Sequence, residues 1–148
     1  MPVVLIVLLF GLFFQSAPEE ITLDATVNQV IDGMTLDAQV DGNRTPVGYL
    51  GVETPAPNQR CGREALERNL QLASTGHIVL ATDTAYTFDD KHRKLFYAYT
   101  PDGISIEETL ISEGLAVAVR TDAAHGADLA ALQAAAQANA QGCLWSAA

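Results

Sequence analysis

Two short stretches carry the residues whose types and spacing could do chemistry. Residues 31–35 read IDGMT, an Asp-Gly turn running into a strand, and residues 47–56 read VGYLGVETPA, an apolar strand ending in Glu-Thr-Pro. Brought together, the two strand ends would meet around a point that could hold a cation, with Asp32 and Glu53 the acidic residues of the two stretches. Asp32 has a plainer role as well, because Asp before Gly forms turns through its own side chain. The other dense ionisable stretch is Asp89-Asp90 with His92, whose acids or imidazole could bind a metal or could form a solvated turn. His77 and His125 stand alone, and no Ser/His/Asp or Cys/His set is apparent. Glu107 and Glu108 read as the exposed face and first turn of a helix, where acids complement the dipole.

The elements that must position these groups follow from the residue pattern. Residues 21–31 alternate loosely and are rich in β-branched side chains, as a strand is. Asp32-Gly33 turns the chain, residues 34–40 give a second strand, and Asp41-Gly42-Asn43 is a hairpin turn. Residues 45–52 make a third strand, stopped by Pro55 and Pro57. Residues 62–74 predict a helix with Leu66, Leu70 and Ala73 inward and Gly76 as its stop. Residues 77–83 and 94–99 are two further strands. A short helix on Ile106, Leu110 and Ile111 ends at Gly114, residues 115–119 are extended, and residues 127–140 form an alanine-rich helix with Leu129, Leu132 and Ala136 inward. Five strands with a helix after the third and helices at the end predict a small, partly closed barrel of the α+β class. With 148 residues and 49% apolar composition, a single domain with a self-sufficient core is expected, and no repeat or linker is visible.

In order along the chain, VIDGMT (30–35), VGYLGVETPA (47–56), CGREA (61–65), Asp89 to Arg93 with Leu95-Phe96-Tyr97, Asp102-Gly103, ETLISEGLA (108–116) and CLWS (143–146) resemble the motif series of the thermonuclease family, the staphylococcal-nuclease-like domains. Each fragment is weak alone; their shared order and spacing carry the resemblance. It implies a five-stranded OB-fold β-barrel with three helices over residues 21–148, and, for active members, calcium-dependent hydrolysis of nucleic-acid phosphodiesters.

Carried over residue by residue, the resemblance places the family's first calcium-binding Asp on Met34, whose thioether does not suit a hard cation. The second falls on Glu53, which keeps the charge on a longer arm, and Thr54 can still offer its carbonyl; Asp32 lies beside this set. The carboxylate that handles water falls on Ala56, and the first phosphate-clamping arginine on Gly48. The second clamp survives as Arg93, although the Gly expected before it is His92. Removing one charged or hydrogen-bonding group from such a site costs about 3–4 kcal/mol of barrier. With three such losses, the resemblance implies a scaffold that keeps only vestiges: Arg93 on the catalytic side, and Glu53, Thr54 and Asp32 on the metal side. No cofactor is expected, and the remaining donors argue against calcium. The alternative is a calcium-dependent endonuclease with an eroded or rearranged site.

Net charge is −10, from 18 acidic and 8 basic side chains. A nucleic-acid surface needs clustered Lys and Arg to displace phosphate counterions. This chain has Lys91-His92-Arg93-Lys94 and, near the first helix, Arg60, Arg63 and Arg68. The balance predicts weak nucleic-acid binding at most, and a protein, peptide or glycan ligand for a monomeric binding module. Residues 3–14 (VVLIVLLFGLFF), followed by Gln15-Ser16-Ala17, match the apolar core and small-residue cleavage site of an export signal, though no Lys or Arg precedes them. Residues 1–18 thus read as a cleaved signal peptide, as an uncleaved anchor at the lower length limit for crossing a bilayer, or as a buried segment. The first two put the domain outside the cytoplasm. Cys61 and Cys143 fit export. If bonded they close a loop of about 80 residues, worth roughly 4–5 kcal/mol by loop entropy; otherwise they are two small buried side chains. Trp145 reads as a plug beneath the barrel rather than a base-stacking platform.

Overall fold

The computed structural model describes residues 20–147. The stretch 1–18, read from the sequence as a signal or anchor, lies outside the described residues. In chain order the elements are β1 (Thr22–Val30), β2 (Thr35–Val40), β3 (Asn43–Tyr49), β4 (Val52–Glu53), α1 (Gly62–Leu72), β5 (His77–Ala81), β6 (Lys94–Tyr99), α2 (Ile106–Ser112), β7 (Val117–Ala118), α3 (Gly126–Ala138) and α4 (Gly142–Trp145). Among the described residues, no helix is long and apolar enough to cross a membrane.

Five strands close into a barrel in the order β1-β2-β3-β6-β5, as the sequence pattern and the resemblance both imply. β2 and β3 pair through Val40↔Asn43 across Asp41 and Gly42, whose φ values of 49° and 76° make the two-residue turn that matches strand twist. The barrel closes where β3 and β6 run parallel over three pairs, Val47↔Lys94, Gly48↔Leu95 and Tyr49↔Phe96. Leu36, Val47, Tyr49, Ile78, Leu80 and Phe96 are at most 1% exposed, and Ile106, Leu110 and Ile111 of α2 with Leu129 of α3 join the same core. Each such side chain contributes about 1.5–3 kcal/mol by leaving water.

Four details depart from the sequence pattern. The expected third strand breaks after Tyr49, because Gly51 takes φ +86° and a Cβ there would stand 2.9 Å from Leu129 Cδ1; the chain then pairs as β4 with β7. α1 buries Ala65, Asn69 and Leu72 rather than Leu66 and Leu70, and Leu70 stays 47% exposed. Asn69 is the reason: it accepts from the Tyr49 hydroxyl at 2.7 Å and donates to the Asp32 carbonyl at 2.8 Å, so a polar side chain occupies the inward stripe. Among the described residues there are four helices rather than three, the last a single turn after α3. Trp145, expected as a core plug, sits half-buried in that turn, and its indole N–H has no partner among the described residues.

Cys61 and Cys143 are bonded, with Cα atoms 5.6 Å apart, which settles the choice that the sequence left open. The bond joins the residue before α1 to the terminal turn α4. α2 begins at Ser105, whose hydroxyl accepts the Glu108 N–H at 3.2 Å. Glu108 is exposed as expected, but Glu107 is 1% exposed, with both carboxyl oxygens on the Ala98 N–H.

Candidate functional site

The ends of β2, β3 and β4, the loop before β6 and the residues after β7 meet in a cleft of about 140 Å³. Met34, Glu53, Asp89, Lys91, Arg93 and Arg120 are among its lining residues. A larger hollow of about 530 Å³ runs across β1, β2 and β5 but contains none of these groups. Of the groups named from the sequence, Met34, Glu53, Asp89, Asp90 and Arg93 line the smaller cleft, while Thr54 borders a neighbouring hollow and Asp32 lines neither.

Met34 is 8% exposed and fills the space between the two strand ends. Its sulfur accepts the Thr54 N–H at 3.4 Å, so a thioether occupies the place that the resemblance gives to a carboxylate. Asp32 turns the chain: its Oδ1 accepts the Met34 N–H at 2.9 Å, the self-closing bond expected of Asp in a turn. Glu53 is exposed at the end of β4, whose neighbouring strand is β7. The Thr54 hydroxyl is buried and has no partner among the described residues, packed where a Cβ on Gly33 would come within 2.7 Å of it. Ala56 lies outside the cleft in an exposed turn, its N–H donating to Gln59 Oε1 at 3.1 Å.

Arg93 is the most constrained side chain of the set. Its Nε donates to Asp89 Oδ2 at 2.7 Å, its Nη2 lies 2.6 Å from the same oxygen, and its Nη1 donates to the Thr35 hydroxyl at 2.5 Å. Asp89 Oδ1 accepts the Arg93 and Lys91 N–H groups, each at 3.0 Å. The two side chains are 13% and 4% exposed. Asp89 is therefore no solvated turn residue, contrary to one of the readings open from sequence. Burial pushes its carboxyl upward, but the Arg93 N–H bonds and charge, with the Lys91 N–H, hold it below the usual carboxylate value. The signal lay in the sequence as Asp and Arg four apart around a tight loop. His92, where a Gly is expected, takes that position's left-handed backbone at φ 59°, at a cost of order 1 kcal/mol.

Sequence reasoning also passed over Arg120. Its backbone is left-handed (φ 55°), and its guanidinium carbon stands 5.0 Å from the centre of the Tyr86 ring. The Tyr86 hydroxyl is fixed to Asp122 Oδ2 at 2.6 Å, an interaction that raises the phenol above its usual value. Lys91 and Arg120 are both exposed at the cleft rim.

Calcium takes six to eight oxygen ligands, most of them carboxylate or carbonyl. Here the two strand ends offer one free carboxylate, Glu53, beside a soft thioether, while Asp32 is turned onto the Met34 N–H. Asp90, exposed on the loop before β6, lines the same cleft.

The family model described as "Staphylococcal nuclease homologue" matches residues 46–147. Two curated relatives from Bacillus subtilis (strain 168) are similar to this chain, each 38% identical over 100 residues, or 64% of the chain. One is named SPbeta prophage-derived endonuclease YokF and the other Endonuclease YncB. The match spans 33% of the first and 47% of the second, so the chain corresponds to half or less of either relative.

Proposed function

The chain belongs to the staphylococcal nuclease homologue family, and from that premise we propose that it has lost calcium-dependent hydrolysis and serves as a binding module outside the cytoplasm. The observation that carries this reading is Met34: a buried thioether bonded to the Thr54 N–H stands between the two strand ends. Attack of water on a phosphodiester requires a group to orient the water and cations to meet the developing charge. Ala56 has only a methyl and points to neither task, Gly48 has no side chain, and Arg93 is committed to Asp89 and Thr35. The ligand we propose is a protein, peptide or glycan bound by a monomeric domain, since a net charge of −10 opposes a polyanion.

A calcium-dependent endonuclease with a rearranged site is the second reading. Two observations favour it: Glu53 and Arg93 line one cleft, and both relatives carry the name endonuclease. The purified full chain with millimolar calcium and single-stranded DNA separates the two. Absence of cleavage supports the binding module. Cleavage abolished by Glu53→Ala and Arg93→Ala overturns it, whereas cleavage surviving both substitutions identifies a contaminant.

A further inference from the structure

The parallel seam that closes the barrel is short. After Tyr49↔Phe96 the last strand-to-strand bond is the Leu50 N–H to the Phe96 carbonyl at 2.8 Å, and the chain then leaves at Gly51. Residues two apart on a strand direct their backbone groups to the same side, so the Ala98 N–H faces the place where β3 has already ended. The Glu107 carboxyl stands there instead of a strand, with Oε1 at 2.9 Å and Oε2 at 3.1 Å from the Ala98 nitrogen. A buried N–H left without a partner costs about 1–3 kcal/mol, which explains why a carboxyl is tolerated at a position only 1% exposed.

We propose that Glu107 is a pH-sensitive strap across the barrel seam, holding α2 on β6 while its carboxyl is neutral and loosening that end of the seam when it ionises. The charged groups that reach it are Glu108 on its own helix and Glu20 before β1, both acidic. Tyr49 of β3 and Tyr97 and Tyr99 of β6 are phenols that feel its charge. α1 offers Arg68, which is held by both oxygens of Glu113 at 2.8 and 2.9 Å, and the residue before α3, His125, sits on Glu20 at 3.1 Å. Among the described residues, no basic side chain pairs with Glu107. Burial pushes its carboxyl well above the ordinary value of 4.5; the N–H groups of Glu107 and Ala98 pull it back only in part, and Glu108 and Glu20 add to the rise.

The sign follows from linkage. A carboxyl raised in the folded state contributes stability that is complete below 4.5 and is lost as pH rises toward its folded value. Within that window the unfolding constant rises up to tenfold per pH unit, about tenfold for each 1.4 kcal/mol. The same seam holds Gly48 and the strand that follows Arg93, so the strap bears on the cleft as well. It goes beyond the proposed loss of hydrolysis and does not depend on it.

The test is denaturant unfolding of the full chain and of Glu107→Gln across the range above pH 4.5. The unsubstituted chain should lose stability with rising pH more steeply than the variant, the ratio of their unfolding constants changing at least tenfold. An identical pH slope in the two proteins would overturn the strap. If Glu107→Gln does not fold, exchange of the Ala98 amide in the unsubstituted chain replaces it. After correction for intrinsic rates, a tenfold loss of protection as pH rises supports the proposal, and constant protection refutes it.

Discussion

The Arg93 side chain lies across Gly48: a Cβ built on that glycine would be 3.2 Å from Arg93 Nε and 3.1 Å from Leu95 Cδ2. The absence of a side chain at Gly48 and the placement of Arg93 are thus one arrangement, with the guanidinium leaning over the glycine toward Thr35. Gly48→Ala should cost about 1–3 kcal/mol by overpacking, read as a shift in the denaturation midpoint. Arg93→Ala made in the same chain should relieve part of that cost. Strictly additive effects in this double-mutant cycle would show that the two positions do not share the space.

Met34→Asp puts a carboxylate where the thioether is now 8% exposed. Alone it should destabilise by about 1–3 kcal/mol, the cost of a poorly satisfied buried polar group. Combined with Gly48→Arg and Ala56→Glu it should create calcium binding, seen as heat in a calorimetric titration and as a calcium-dependent rise in melting temperature. A triple variant that folds yet gives no calcium signal would refute the residue-by-residue alignment.

Asp89 makes an acid-side prediction opposite in sign to that of Glu107. Its carboxyl is held below the ordinary 3.8, so its pairing with Arg93 contributes stability above that value and loses it as pH falls through the depressed one. Asp89→Asn keeps the shape and removes the charge. It should cost about 1.5–3 kcal/mol at neutral pH, the range for hydrogen bonds to a charged group, and should flatten the acid limb of the stability profile. An acid limb as steep as that of the unsubstituted chain would rule out this pair as its source.

The barrel was legible because alternation, turn residues and ordered motifs all pointed the same way. The α1 face was not, because Asn69 lies at the centre of its buried stripe and a hydrophobic count cannot see a polar residue satisfied by Tyr49 and Asp32. Glu107 was misread for a related reason. Two adjacent acids at a helix start look alike in sequence, and only the early end of β3 gives the first a buried N–H to meet while the second stays in water. In the cleft, the position of Met34 could be read from motif spacing. The capture of Arg93 by Asp89 depends on a left-handed backbone at His92, a position where sequence alone suggested only a missing glycine.

The Cys61–Cys143 bond closes a loop with a sequence separation of 82. Opening a loop of that size should cost roughly 4–5 kcal/mol on the loop-entropy account, a large share of the total stability of a domain this small. The loss should also be local. α4 is held by the bond, by the Arg60 guanidinium on the Cys143 carbonyl at 3.0 Å and by the Leu144 N–H on the Gly114 carbonyl at 3.0 Å. Leu144 faces Glu53, Thr54 and Pro55 across a hollow of about 280 Å³, so freeing α4 removes one wall beside the cleft. Reductant, or Cys61→Ala with Cys143→Ala, should lower the denaturation midpoint and speed amide exchange in residues 54–61 and 142–146, while β2 and β3 keep their protection. An unchanged midpoint after verified reduction would mean that the bond adds nothing to stability. Faster exchange spread evenly over the barrel would mean that it acts on the whole fold, leaving the hollow beside Glu53 no more dependent on it than any other part.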